Sequence, residues 1–121
     1  MKYLQFEQLK NNLNIGKPVE QWIGHAIEKD YVVLKWIRIE KENDEFYGVV
    51  YTECFDEGDG DFLDIYEFST IDPDESFGII NTFSTVDKAI EFALNEYGAS
   101  INKFVNSGMI QDEYLLYLKN R

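Results

Sequence analysis

The sequence is poor in the residues that most nucleophilic and metal chemistry requires: one cysteine, Cys54, and one histidine, His25, in 121 residues. A Ser-His-Asp or Cys-His hydrolase needs a histidine to shuttle its proton. His25 sits in WIGHAIE between apolar neighbours, in a segment of β character, and reads as a satisfied or half-buried side chain. Cys54 follows Glu53 in an acidic stretch, a setting that raises a thiol pKa and opposes a thiolate nucleophile. A single cysteine also excludes an internal disulfide and suits a reducing compartment. One Cys and one His fall short of the roughly four soft or borderline ligands that zinc takes.

Other absences bound the class. Two prolines and eight glycines leave no low-complexity linker. The opening MKYLQFEQLK lacks the run of about seven or more apolar residues of a secretory signal. No window approaches the roughly 20 apolar residues of a membrane span. The expectation is one cytoplasmic domain, since 121 residues give room for one and not two. A hydrophobic fraction of 45% and an aromatic fraction of 16% belong to a folded scaffold, not to a disordered acidic tail.

Bases are scarce where acids are dense. The formal charge is −12, and its placement says more than its size. From Glu40 to Glu75 there are fourteen acids and one base, Lys41, a net of −13; the other 85 residues carry nine acids and ten bases. Self-repulsion of that size works against a compact state, which makes a use for it plausible. A field this lopsided speeds encounter with basic proteins and repels nucleic acid and anionic membrane.

The local patterns are those of an α+β domain. Tyr3, Phe6, Leu9 and Leu13 recur at spacings of three and four, predicting a helix over 3–13 that Asn14-Ile15-Gly16 ends. Gln21–Glu28 is apolar but ambiguous, whereas Tyr31–Glu40 is rich in β-branched and aromatic residues and reads as a strand. Phe46–Phe55, Phe62–Thr70 and Phe77–Phe83 follow as strands, separated by turns at 41–44, DEGDGD (56–61) and IDPDES (71–76). The spacing suggests an antiparallel meander. Ser84 or Thr85 then caps a helix with the stripe Val86, Ala89, Ile90, Ala93, Leu94 and Tyr97, and Gly98 ends it. A short helical piece at 100–106 and a last helix over Asp112–Asn120 close the chain. The predicted fold is an antiparallel sheet of four to five strands, with helices from the N- and C-terminal ends packed on one face.

The acidic segment does not match a known ion or phosphate loop. The glycines of DEGDGD lie among carboxylates with no following lysine, which is wrong for a phosphate cradle. Counted from Asp56 as an EF-hand loop, the third and fifth places are Gly58 and Gly60 instead of acids, although the twelfth is Glu67. Carboxylate pairs of glycosidase type arise by chance among fourteen acids and carry no signal. Neither an enzyme, a metal nor a cofactor is expected.

Aromatics interleave with these acids. In Phe46–Phe55 one side of a strand carries Tyr47, Val49, Tyr51, Glu53 and Phe55, and the other Phe46, Gly48, Val50, Thr52 and Cys54. The second set is small and apolar enough to pack beneath helices, leaving the first as an exposed aromatic face edged by acids, of interface composition. The alternative places the tyrosines in the core. The predicted contact residues are Glu53, Asp56, Glu57, Asp59, Asp61, Asp64 and Glu67, with Tyr47, Tyr51 and Tyr66.

A short acidic α+β domain with a tyrosine-rich antiparallel sheet and terminal helices resembles the immunity proteins of bacterial toxin systems, in particular those of contact-dependent growth inhibition and related polymorphic toxins. The stretches that carry the resemblance are YGVVYTECFDEGDGDFLDIYEF and FSTVDKAIEFALNEYG. It implies a cognate toxin domain, often a basic nuclease, neutralised in the cytoplasm by tight one-to-one binding. The expected partner is thus a basic protein, with no direct nucleic-acid or membrane binding, and the chain itself a monomer or weak dimer. Two alternatives use the same charge: a nucleic-acid mimic that inhibits a DNA-binding enzyme, and an acidic regulatory or scaffold domain.

Overall fold

A computed structural model describes residues 2–75 and 78–120. Four consecutive strands form the expected antiparallel meander: β1 (Val19–Ile27), β2 (Val32–Lys41), β3 (Tyr47–Phe55) and β4 (Ile79–Phe83). A two-residue β5 (Val105–Asn106) pairs with the start of β1, so the sheet order is β4-β3-β2-β1-β5. Helix α1 (Phe6–Asn14) precedes the sheet, α2 (Val86–Tyr97) follows β4, and α3 (Ile110–Asn120) comes last. The α+β class is as predicted.

Local chemistry fixes the helix ends. The Thr85 hydroxyl accepts the Lys88 N–H at 3.1 Å and starts α2. Gly98 ends it in the left-handed region at φ +70°, a conformation that favours glycine. In α1 the Gln8 side chain accepts the Gln5 N–H at 2.9 Å, and Leu9 and Leu13, one turn apart, are fully buried.

The sheet is covered on both faces. Leu9 and Leu13 of α1 and Ala89, Ile90 and Ala93 of α2 pack on Ile37, Ile39 and Val49. Ile110 and Tyr114 of α3 pack on Leu34, Trp36 and Cys54 of the opposite face, together with Ile65 and Phe68 from the segment after β3. The helices are therefore divided between the faces, α1 and α2 on one and α3 on the other, where the sequence pattern placed them all on one. The cause is β2, which carries large apolar side chains on both sides, Leu34 and Trp36 on one and Ile37 and Ile39 on the other, and needs two covers. Each fully buried aliphatic side chain contributes roughly 1.5–3 kcal/mol.

Three predicted elements change. Phe62–Thr70 is not a strand: it is irregular with one 3-10 turn (Ile65–Glu67), and among the described residues its pairing with β3 is a single bridge between Cys54 and Thr70. Its buried residues, Ile65 and Phe68, are three apart, the spacing of a tight turn and not of a pleat. Residues 100–106 are not helical, because Phe104 and Val105 are both drawn fully into the core and Val105 extends the sheet beside Glu20. Gln21–Glu28 is a strand whose alternation is broken by a register shift between Trp22 and Gly24, which hid it. Ser76, predicted in the third turn, and Phe77, predicted to begin the last strand, lie outside the described residues.

Candidate partner-binding surface

The acids of the 40–75 segment, contiguous in sequence, do not form one patch in space; they fall into two groups. Glu40, Glu42, Asp44 and Glu45 lie at the β2–β3 turn, before Tyr47. The other ten, from Glu53 onward, lie at or beyond the far end of β3. Tyr47 and Phe55 are the strand's ends, about 27 Å apart at about 3.4 Å per residue. The ten-acid end is the larger charge. Asp56 apart, no acid of 40–75 forms an ion pair among the described residues; the acids in the ion pairs are Glu20, Asp87 and Glu113.

Within the ten-acid end, several carboxylates shape the chain as well as charge it. Asp59 accepts the N–H groups of Asp61 at 2.8 Å and Phe62 at 3.1 Å, which closes the DEGDGD turn. Glu57 accepts the Ser69 N–H, and half-buried Asp56 accepts the Tyr114 hydroxyl. Gly58 is required by close approach: a Cβ there would stand 2.3 Å from the Phe62 carbonyl oxygen. Glu53, Glu57, Asp59, Asp61 and Glu67 are exposed, while Asp64 is half-buried with one oxygen unbonded among the described residues.

The three predicted tyrosines are placed differently from one another. Tyr47 and Tyr51 lie half-buried against the α1–α2 layer, so this side of β3 follows the core alternative and the exposed aromatic face is not there. Tyr51 stacks on Tyr97 of α2 with ring centroids 4.3 Å apart and donates to Glu53 at 2.6 Å. The physical reason is volume: Tyr47, Val49 and Tyr51 fill the space under α2 that the small residues opposite could not. Tyr66 remains partly exposed, and beside the acids Phe62 is 42% exposed.

Tyr66 leads to residues that the sequence reading missed. Its hydroxyl donates to Glu20 at 2.5 Å, and Glu20 is fully buried. Arg38 donates to the same oxygen at 2.9 Å, and the Gly108 N–H to the other at 2.9 Å. The Arg38 guanidinium also lies 5.3 Å from the Tyr66 ring centre. Glu20 thus has both oxygens occupied and holds no position open for a substrate. Its role is to clamp the acidic segment, through Tyr66, to the sheet and to the approach to α3. The signal was present as two charged residues inside apolar strands, Glu20 before QWI and Arg38 within WIRI.

Burial, and then the charges of Glu57 and Asp56, push the Cys54 thiol up to about 12, far from a reactive thiolate. Burial and the bond to Glu20 push Tyr66 up to about 12 as well. His25 is exposed on β1 with its ring 4.9 Å from that of Tyr117, so the half-buried placing read from the sequence does not hold; the bulge turns it to the α3 face at the sheet's end. Among the described residues no group of three or more His, Cys, Asp or Glu is arranged to hold a metal ion, and no helix is long and apolar enough to cross a membrane. Comparison with known proteins finds no matching family model, no matching curated protein and no matching solved structure.

Proposed function

We propose that this chain binds and neutralises a basic protein, a cognate toxin domain of nuclease type, through the ten-acid end of its sheet. The observation that carries the reading is charge left uncompensated: apart from Asp56, none of these carboxylates is ion-paired among the described residues. Their field is directed outward, where it steers a cationic partner and accelerates encounter. Exposed Phe62 and the outer part of Tyr66 supply apolar contact that slows dissociation. In this reading Glu53, Glu57, Asp59, Asp61 and Glu67 meet the partner, Tyr51 supports Glu53 from beneath, and Tyr47, at the other end of β3, lies outside the contact. The test is calorimetric titration against the basic product of the adjacent gene, with rescue of cells that express it. Saturable one-to-one binding that weakens with salt and protects cells is the expected result. Absence of both heat and rescue overturns it.

A further inference from the structure

The sheet has two edges, and they are guarded differently. On one side β5 is two residues long, too short to template another strand. On the other, β4 reads Ile-Ile-Asn-Thr-Phe, with no charge and no proline, and Ile79 and Ile80 are 42% and 50% exposed. Natural edges are blunted by lysine, proline, bulges or brevity, and β4 has none of these.

The backbone groups that β4 turns outward can be assigned from the register. The Phe55 N–H donates to the Ser69 carbonyl at 2.9 Å and the Ile71 N–H to the Glu53 carbonyl at 3.0 Å. Odd-numbered residues of β3 therefore bond toward the edge that β4 extends, while the Asp56 N–H bonds back to Val32 at 3.1 Å. Asn81 pairs with Val49 and Ile80 with Val50, so Asn81 faces β3 while Ile80 and Thr82 point N–H and C=O away from it. Among the described residues no backbone hydrogen bond is made to that outer edge.

Charge decides what fits there. At the start of β4 a hollow of about 190 Å³ is lined by Glu53, Asp72 and Glu75. At its end a groove of about 370 Å³ lies over Phe83 and Phe92, walled by Glu91 and Glu96 against one cation, Lys88. A second copy of this chain would bring two such acidic rims within about one Debye length, roughly 8 Å, and be repelled. A basic strand would be drawn in by carboxylates at both ends. We infer that β4 accepts an extended, lysine- or arginine-bearing segment of the partner as a sixth strand, bonded to Ile80 and Thr82. The inference rests on the proposal of a basic partner and names how that partner is held.

The test needs no toxin. A synthetic peptide of alternating lysine and valine is added to the full chain, with alternating glutamate and valine as control, and amide hydrogen exchange is followed. With the basic peptide near ten times its Kd, exchange at the Ile80 and Thr82 amides slows about tenfold. The acidic peptide leaves it unchanged. Thr82→Pro removes one outward donor without touching the β3 ladder and abolishes protection at Ile80; Ile80→Lys, which leaves every backbone donor in place, weakens peptide binding by adding like charge and removing an apolar contact. Unchanged exchange, equal protection by both peptides, or protection that tracks self-association in sedimentation each overturns the inference. A gene product that binds by calorimetry but leaves these amides exchanging freely overturns the edge as its site and spares the proposed function.

Discussion

The two faces of the sheet solve the burial problem by different chemistry. Beneath α1 and α2 the fully buried core is aliphatic, with Phe104, and is rimmed by half-buried rings such as Tyr51 and Tyr97; the buried amide of Gln21 is satisfied by two bonds to the Ser100 backbone at 2.9 and 2.7 Å. Beneath α3 and the acidic segment the core is richer in aromatics and contains an ion pair, Glu20 with Arg38, to which the Tyr66 hydroxyl donates. The first face tolerates loss of a contact in proportion to the cavity left. The second depends on a charge that cannot stay buried alone. The acidic segment, with few apolar anchors of its own, is attached to that second face.

Breaking the second face should cost most. Glu20→Ala leaves Arg38, Tyr66 and the Gly108 N–H without their acceptor and should destabilise by about 3–5 kcal/mol in urea unfolding. The double variant Glu20→Leu/Arg38→Met should recover the part of that loss that comes from stranding Arg38, while the Tyr66 hydroxyl and the Gly108 N–H still lack their acceptor. On the first face Leu13→Ala should cost about 3 kcal/mol, with no second-site partner able to restore it.

Alkaline pH acts on both faces: on the first, burial and the bond to Glu53 raise the Tyr51 phenol above its ordinary 10.0. Folding raises the Cys54 thiol from the ordinary 9.0 to about 12 and the Tyr66 phenol from 10.0 to about 12, both on the second face. Between those values the folded chain holds protons that the unfolded chain has released, so stability falls as pH rises. Unfolding free energy measured against pH should be unaffected by these two groups below about pH 8 and decline through pH 12, with a shallower decline in Cys54→Ala. The smallest effect belongs to the first face: Thr85→Ala removes the α2 cap and should cost about 1 kcal/mol, measured by thermal unfolding.

The same contrast explains what could be read from sequence. Local signals were sufficient where local chemistry decides: Thr85 and Gly98 bound α2, and β2 and β3 follow their β-branched runs. The segment FLDIYEFST deceived because Ile65 and Phe68, three apart, resemble a pleated pattern when Leu63 is counted with them. The side of β3 that carries Tyr47 and Tyr51 could not be chosen without knowing that α2 lies above it. The exposed acids of the candidate surface were legible from composition alone. Its support was not, since Glu20 and Tyr66 are 46 positions apart and only the fold joins them.

That node has a kinetic consequence. Glu20 reaches partners 18, 46 and 88 positions away, at Arg38, Tyr66 and Gly108. Loops of that length must close before the contacts return anything, so the meander forms first and the node afterwards. Loss of Glu20 should therefore speed unfolding and leave the refolding rate nearly unchanged, as stopped-flow folding and unfolding rates against urea would read. During synthesis Gly108 and Ile110 emerge long after the strands they secure, so the part of the acidic segment beyond β3 that Tyr66 anchors cannot be clamped until then.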